Sequence, residues 1–256
     1  MQDAIRVAGL CKTFARRGTG KVTAVDGLSF SVGVGQIFGL LGPNGAGKTT
    51  TLRILTTLIR ATSGVAEVAG IDVARDPLGV RRRIVVVVQE SAAEIFLTVR
   101  DNLLTFGRFH GLEGADLRQR VDRALEQFGL VADASRKAMD LSGGFRRRIQ
   151  VAKALLVKTP VVFLDEFSTG MDPILKRSVM DLLREEARNG RTIVLTTQIL
   201  GEAEALCDDI LIINHGRGIA RGDVATIKAL STIDNASLED VFVELTQAVA
   251  PGAVDR

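Results

Sequence analysis

One stretch constrains this chain more than any other. Residues 42–50 have the sequence GPNGAGKTT, which fits the pattern G-x-x-x-x-G-K-[ST]. An apolar run at residues 37–41 precedes it and predicts a buried strand, and residues 50–58 follow it with apolar side chains at helical spacing. Strand, glycine-rich loop and helix in this order are the context that a phosphate-binding loop requires. The stretch therefore predicts a nucleotide-phosphate site at the edge of an α/β sheet.

The loop residues have separate predicted roles. Backbone N–H groups of such a loop close on phosphate oxygens, and the following helix adds the positive end of its dipole. Lys48 is expected to contact the β- and γ-phosphates of a nucleotide, and Thr49 to supply a hydroxyl ligand for Mg²⁺. The candidate nucleotide-binding residues of the loop are Gly42, Pro43, Asn44, Gly45, Ala46, Gly47, Lys48, Thr49 and Thr50.

A phenylalanine is the candidate adenine platform. The chain has no Trp and no Tyr, so a base would have to stack on Phe or pack on aliphatic side chains. Phe14 lies beside a polar stretch, residues 15–21, which is predicted as a surface loop between strands at residues 5–10 and 22–34. Phe14 is therefore either a base platform or a side chain packed in the core or at its rim.

Two further strand patterns end in polar side chains. The β-branched run at residues 84–88 ends in Gln89, and the apolar run at residues 160–164 ends in Asp165 and Glu166. Adjacent acids at a strand end need a cation or hydrogen bonds to compensate for burial, which indicates a metal-phosphate site. Asp165 suits Mg²⁺, directly or through water. Glu166 is placed to polarise the attacking water, and Gln89 either senses the ion or water or is an ordinary strand-to-loop residue.

Residues from about 90 to 158 have helical patterns and predict an inserted helical subdomain. Inside it, Ser142 is positioned as the N-cap of an amphipathic run at residues 145–157, and two glycines follow it. This start predicts a second anion site, with a plain helix start as the alternative. For the arginines at 146–148, a solvated helix face is the alternative to a functional role. The stretch that forms the candidate site is Leu141, Ser142, Gly143 and Gly144.

The remaining patterns complete an α/β chain. Asp172 is the predicted N-cap of a helix that stops at residues 189–190, and a strand at residues 192–196 ends just before Gln198. A hairpin is predicted within residues 210–221. A helix at residues 238–245 carries an apolar stripe whose partner is either this domain or a second subunit.

Composition excludes several classes of protein. The net charge of +3 is spread along the chain without a basic tail, so nucleic acid is not expected as a partner. Cys11 and Cys207 match no metal spacing or disulfide framework and are predicted to be small buried residues in a reducing cytosol. The first residues lack the apolar core of a signal peptide, and residues 27–47 are too rich in glycine for a membrane span, so neither export nor a bilayer crossing is expected.

Taken together, these motifs resemble the nucleotide-binding subunit of ATP-binding-cassette transporters. The ordered set comprises Gly42 to Thr49, Gln89, Leu141 to Gly144, Phe163 to Glu166 and Ser168 to Asp172. Within that family, the stretches LSGGFRRR at 141–148 and LEDVFVEL at 238–245 are similar to the daunorubicin-resistance type of bacterial exporter ATPase.

The resemblance implies an α/β fold with a P-loop NTPase core. This core is a mixed central sheet with helices on both faces, accompanied by an N-terminal antiparallel β subdomain and an inserted helical subdomain. Residues 1–222 would form the nucleotide-binding domain, and residues 223–256 a helical extension at the carboxyl end.

The resemblance also implies partners. Two nucleotide-binding subunits, identical or different, would form a head-to-tail dimer in which ATP and Mg²⁺ bound at residues 42–49 of one are capped by residues 142–144 of the other. Asp172 would be a dimer contact. Closure would drive a separate transmembrane permease subunit through the surface between Gln89 and Arg108, on the inner face of the cell membrane. Phe14 takes the position on which adenine usually stacks in this family.

Three positions depart from the family pattern. Phe145 stands where glutamine is frequent, and Phe167 where proline is usual. Gln198 replaces the switch histidine as a candidate catalytic residue; glutamine donates a hydrogen bond but cannot carry a positive charge or relay a proton at neutral pH. An ATPase subunit of a drug or lipid exporter is therefore the leading interpretation. The alternatives are a non-transport cassette ATPase, and an ATP clamp that hydrolyses slowly because of Gln198.

Overall fold

The computed structural model describes residues 3–16, 20–87, 93–233 and 235–248. Its strands, in chain order, are β1 (Asp3–Arg16), β2 (Gly20–Gly33), β3 (Ile37–Leu41), β4 (Ser63–Val68), β5 (Ile71–Asp72), β6 (Ile84–Val87), β7 (Val161–Asp165), β8 (Thr192–Thr196), β9 (Asp209–Asn214) and β10 (Arg217–Gly222). They form two sheets. One is antiparallel, in the order β2-β1-β4-β5, and the other has the order β10-β9-β3-β8-β7-β6.

Helices connect and cover these strands. They are α1 (Lys48–Leu55), α2 (Pro77–Arg81), α3 (Val99–Phe109), α4 (Gly114–Gln127), α5 (Gly143–Leu156), α6 (Pro173–Arg188), α7 (Leu200–Leu206), α8 (Val224–Lys228) and α9 (Leu238–Ala248), with a short 3₁₀ turn at Ala138–Asp140. Of these, α3, α4 and α5 pack on one another and form the helical region between β6 and β7.

The six-stranded sheet is covered on both faces. Strands β3, β6, β7, β8 and β9 are parallel, and β10 pairs with β9 in the antiparallel direction. In β7, Val162 and Leu164 pack with the helices α3 to α6, whereas Val161 and Phe163 pack with α1 and the antiparallel sheet. Such two-sided burial explains why these strands are continuous apolar runs in the sequence. The predicted fold class is confirmed.

The parallel direction places the carboxyl ends of β3, β7 and β8 at the same edge of the sheet. Each strand is five residues long and buried throughout. The polar residues that follow each strand are therefore brought together, as expected for ligand sites of open α/β sheets.

Some secondary-structure predictions were wrong, mainly where a strand forms by pairing with a segment that is distant in the sequence. Residues 15, 16, 20 and 21 of the predicted loop are in strands, because β1 and β2 pair as far as Arg16 and Gly20. Residues 17–19 of that loop lie outside the described residues. The strands β4 and β5 were not predicted, since the sequence SGVAEV lacks a clear apolar pattern and is organised by pairing with β1. Helix α1 ends at Leu55, before the predicted residue 58, and Thr57 takes a left-handed conformation with φ of 63°.

The carboxyl-terminal helix packs on this domain. Leu238 and Val241 are buried in a cluster with Leu41, Ala203 and Ile210, so the first of the two predicted partners for the apolar stripe is confirmed. In the ranges that the structure describes, no helix is long and apolar enough to span a membrane.

The two cysteines are unpaired and half-buried rather than fully buried. Burial of the Cys207 thiol raises its pKa well above the usual range, which keeps it protonated and unreactive.

Candidate functional site

The phosphate-binding loop lies between β3 and α1, as predicted. Its path is fixed by close backbone contacts: a Cβ at Gly42 would lie 2.3 Å from the Ile213 carbonyl oxygen, and one at Gly47, where φ is 107°, would lie 2.4 Å from that of Ala24. The turn between β9 and β10 supports the loop from the other side, since the Gly216 N–H donates to the Ala46 carbonyl oxygen at 2.9 Å. Side chains at either glycine would displace the loop.

Lys48 is held inside this loop. Its side chain is only 7% exposed, and its ammonium donates to the carbonyl oxygens of Gly42 at 2.6 Å and Pro43 at 3.0 Å. Burial lowers the pKa of Lys48, and the nearby carboxylates of Glu166 and Asp165 oppose that shift. The buried ammonium therefore lies close to both acids that follow β7.

The two acids have different environments. Asp165 is buried and accepts a hydrogen bond from the Thr196 hydroxyl on the neighbouring strand β8. Glu166 is half-buried, and its backbone is left-handed, with φ of 50°. That conformation is uncommon for a residue with a side chain and is retained only where neighbouring contacts enforce it. It turns the chain sharply at the end of β7.

Gln198 connects two parts of the site. Its amide nitrogen Nε2 lies 2.6 Å from Oε1 of Glu166 and 3.0 Å from Oδ1 of Asn44. One side chain thus joins the phosphate-binding loop to the candidate catalytic carboxylate, a contact that the sequence did not predict.

A buried acid supports the residues around Gln198 and Glu166. Glu202 on α7 is almost fully buried and accepts hydrogen bonds from the hydroxyls of Ser168 and Thr197 and from the ammonium of Lys176, the last at 2.8 Å. Ser168 is two residues after Glu166, and Thr197 directly precedes Gln198. Sequence reasoning did not single out Glu202, because nothing in a helix beginning LGEAEAL marks that acid as buried.

The predicted second anion site has the expected helix start. The Ser142 hydroxyl accepts from the Phe145 N–H at 3.4 Å, and Ser142 and Gly143 are exposed ahead of α5. Leu141 is buried and anchors the turn. A Cβ at Gly144 would lie 2.1 Å from the Gly170 carbonyl oxygen, so a glycine is required where the start of α5 meets the segment between β7 and α6.

For Arg147, the alternative of a solvated helix face is wrong. Arg147 is not on a solvated face: it is only 6% exposed, and its guanidinium donates to the Asp165 carbonyl oxygen, to that of Glu166 at 2.7 Å and to that of Phe167 at 3.3 Å. The reason is that α5 packs its first turns against the end of β7. Local charge patterning cannot show this, because the acceptors are backbone atoms about 20 residues away.

Two roles are predicted for Asp172, as the N-cap of α6 and as a contact with a partner subunit. It caps α6 by accepting from the Leu175 N–H at 2.9 Å, and its other carboxylate oxygen lies 2.8 Å from a guanidinium nitrogen of Arg148. The cap lowers the pKa of Asp172, with a smaller contribution from Arg148. The carboxylate is exposed and so can also meet a partner.

Phe14 is on the surface. It is 40% exposed, lies in β1 opposite Val22, and has the ammonium of Lys12 at 4.9 Å from its ring centroid. Phe14 is therefore not a core residue. It lies either at the rim of the core or where a base could stack on it. Gln89 lies outside the described residues.

Comparisons with known proteins agree with this geometry. The family model described as ABC transporter matches residues 25–169. The chain is 46% identical over 225 residues to the doxorubicin resistance ATP-binding protein DrrA of Mycobacterium tuberculosis, covering 88% of this chain and 67% of that protein. It is 44% identical over 218 residues to the Nod factor export ATP-binding protein I of Ralstonia nicotianae, covering 85% and 66%. The chain thus spans about two thirds of the length of these relatives.

Solved structures give the same result. One described as the ATP-binding subunit of an ABC transporter has a TM-score of 0.86 and 27% identity, covering 95% of this chain and 99% of that chain. An ATP-binding cassette solved as a dimer with ADP and Pi has a TM-score of 0.79 at 24% identity, covering 86% of this chain and 98% of that one, which supports the fold. This chain belongs to the ABC transporter family, as one of its ATP-binding ATPase subunits.

Proposed function

We propose that this chain hydrolyses ATP to energise a separate membrane subunit of an export-type transporter. The observation that carries the proposal is the pair of hydrogen bonds from Gln198 to Asn44 and to Glu166. They place the candidate catalytic carboxylate beside the phosphate-binding loop. The names of the relatives, which refer to doxorubicin resistance and Nod factor export, support export as the direction and a drug as one class of cargo.

The ATP-binding roles follow from the loop and from β1. Backbone N–H groups of residues 42–50 would hold the phosphate oxygens, with the N-terminus of α1 behind them. Lys48 would exchange its two carbonyl contacts for the β- and γ-phosphates. Phe14, exposed at the end of the antiparallel sheet, would stack on adenine.

The residues available for Mg²⁺ fit that ion. Thr49 offers a hydroxyl oxygen and Asp165 a buried carboxylate, and Mg²⁺ commonly takes one or two protein oxygens besides water and phosphate. The Thr196 hydrogen bond orients the Asp165 carboxylate. When bound, the ion would neutralise charge on the phosphates. We assign Thr49 and Asp165 as its ligands, with Gln89 as a third candidate.

Glu166 would act on the attacking water. Its carboxylate would accept the proton as the oxygen attacks the γ-phosphate, while Gln198 holds that carboxylate at the loop. Because the amide of Gln198 is neutral, the developing charge would rest on Lys48 and the metal ion.

The second anion site would act on a partner. In the ranges that the structure describes, no hydrogen bond joins residues 141–144 to the phosphate-binding loop. Exposed Ser142 and Gly143 instead offer a hydroxyl O–H and backbone N–H groups as donors to an outside anion. We infer a head-to-tail dimer in which they cap ATP held by a second nucleotide-binding subunit, with Asp172 at the interface.

The membrane subunit would dock beside α3. Phe109 and Phe96 are 85% and 73% exposed, and an apolar cavity of about 280 Å³ lies between α3, β6 and the end of α1. Exposed aromatic side chains are typical of protein contacts. The protein would then work on the inner face of the cell membrane. Residues 1–222 would bind nucleotide and residues 223–256 form the helical extension.

The ATP clamp is the second candidate function. The observation that favours it is again Gln198: its N–H occupies Oε1 of Glu166, the oxygen that would accept a proton from water. If that bond persisted with ATP bound, the chain would close on nucleotide and turn over slowly.

Steady-state hydrolysis of Mg·ATP by the purified full chain separates these functions. We expect turnover that stops when a chelator removes the metal, and association with the permease on co-expression. ATP binding without turnover, with or without the permease, would favour the clamp. Turnover that persists in excess chelator would contradict the assignment of Thr49 and Asp165 as metal ligands.

The Gln198→His variant is expected to keep or raise this activity. Histidine can donate the same hydrogen bond and can also carry charge near neutral pH. The comparison is the kcat of wild type and variant at saturating Mg·ATP. A loss of more than about 10-fold would show that the site depends on the amide itself.

A further inference from the structure

We propose that Arg147 is a positioning residue that couples the two composite ATP sites of the dimer. The proposal rests on the proposed function, because it assumes that residues 142–144 cap ATP on a partner. In this proposal, Arg147 links the residues that cap the partner's ATP to Glu166 of the same chain. Glu166 acts at the other site, on the ATP that its own chain binds.

The first observation is the direction of the Arg147 hydrogen bonds. From α5, its guanidinium reaches three consecutive carbonyl oxygens, those of residues 165, 166 and 167. Its third nitrogen lies 2.9 Å from Oε1 of Gln150, which helps to fix the plane of the fork. A planar guanidinium with fixed donors holds such a set of acceptors in one arrangement. The catalytic turn is thus attached directly to the helix that begins at the capping residues.

The second observation is that α5 and the segment 165–172 touch at two further points. Gly144 packs on the Gly170 carbonyl so closely that no side chain fits. Arg148 pairs with Asp172 at 2.8 Å. These contacts, together with those of Arg147, join the first two turns of α5 to the whole segment, so that a tilt of one displaces the other.

The third observation concerns Glu166 itself. Its backbone is left-handed, a conformation that the surroundings must enforce. The Glu166 carbonyl oxygen accepts from Arg147 at 2.7 Å and from the Thr169 hydroxyl at 3.2 Å. Without the guanidinium, the turn would lose the hydrogen bonds to its carbonyl oxygens, and the backbone that carries the Glu166 carboxylate would be less firmly held.

These contacts give a route between sites. ATP held by the partner would contact Ser142 and Gly143 at the start of α5. A displacement of α5 on that contact would move Arg147, and with it the Glu166 backbone. The Glu166 carboxylate acts on the ATP that its own chain binds. Occupancy of one site would therefore set the geometry of hydrolysis at the other.

The test uses Arg147→Lys, which keeps the charge but loses the fork, and Arg147→Met, which loses both. The matched control is Arg191→Lys. Arg191 is also buried and also donates to backbone carbonyl oxygens, those of Thr159 and Ala154. It lies near the amino ends of β7 and β8, whereas the site is at their carboxyl ends. We expect kcat to fall about 10-fold or more in both Arg147 variants, with KM for ATP within about twofold, because ground-state binding is untouched. The dependence of rate on ATP concentration should lose cooperativity.

A second measurement does not require turnover. In nucleotide-free protein, backbone amides of residues 165–172 should exchange with deuterium faster in Arg147→Lys than in wild type or Arg191→Lys. Unchanged exchange in this segment would overturn the proposal, as would a kcat equal to that of wild type or an equal loss in Arg191→Lys. If wild type itself does not hydrolyse ATP, the proposed function fails, and the exchange data still decide whether Arg147 holds the turn.

Discussion

Replacing Glu166 with glutamine is expected to lower ATP hydrolysis by about 10²–10⁴-fold, the usual contribution of a positioned general base. Glutamine has nearly the same shape and can still meet the Gln198 amide, but it cannot accept a proton from water. ATP affinity should change little, because the phosphate contacts come from the loop at residues 42–50. The measurements are steady-state turnover at saturating Mg·ATP and titration with a fluorescent nucleotide.

The matched control is Glu204→Gln. Glu204 lies on α7 but is exposed and pairs with half-buried Lys228, outside the site. Its rate should equal that of wild type. A Glu166→Gln protein that keeps more than about a tenth of the wild-type rate would assign proton acceptance to another group.

Replacing Lys48 with methionine is expected to remove ATP binding and hydrolysis together. Methionine keeps the apolar stem of the side chain inside the loop but has no charge for the phosphates. Hydrogen bonds to charged groups contribute about 1.5–3 kcal/mol each, so losing two of them should lower kcat/KM by about 10²-fold or more. Nucleotide titration should show the loss in affinity directly, in contrast to Glu166→Gln.

Lys153→Met is the control for Lys48→Met. Lys153 is likewise a buried lysine whose pKa burial lowers, but it packs over the ring of Phe106 in the helical region. Its removal should leave ATP affinity unchanged. If Lys48→Met binds ATP as wild type does, the nucleotide does not occupy the loop between β3 and α1.

The sequence was sufficient where function depends on the ends of apolar strands. Asp165 and Glu166 follow one such run, and Gln198 follows another by two residues; parallel pairing then brings them together with the loop after β3. The N-caps Ser142 and Asp172 were also predictable, because a cap is recognised from a few adjacent residues.

The sequence was insufficient where a side chain bonds to backbone atoms that are distant in the chain, or where a charged side chain is buried. Arg147 lies in a run of three arginines, and only the packing of α5 on β7 distinguishes it from its neighbours. Glu202 is buried because Ser168, Thr197 and Lys176 converge on it from three different segments. No periodicity or local motif encodes such convergence.

The proposed composite site requires ATP to be shared between two nucleotide-binding subunits, and the simplest case is two copies of this chain. The direct measurement is the molar mass, by size-exclusion chromatography with light scattering in Mg·ATP, of three proteins in the Glu166→Gln background: the single variant, and the same protein with Ser142→Asp or with Ser142→Asn. Asp and Asn both keep the N-cap of α5, but only Asp places a negative charge against the triphosphate. We predict an ATP-dependent dimer for the single variant and for Ser142→Asn, and a monomer that still binds ATP for Ser142→Asp. A monomeric single variant would contradict a composite site between two copies of this chain, and a dimer that persists with Ser142→Asp would contradict the assignment of Ser142 to the composite site.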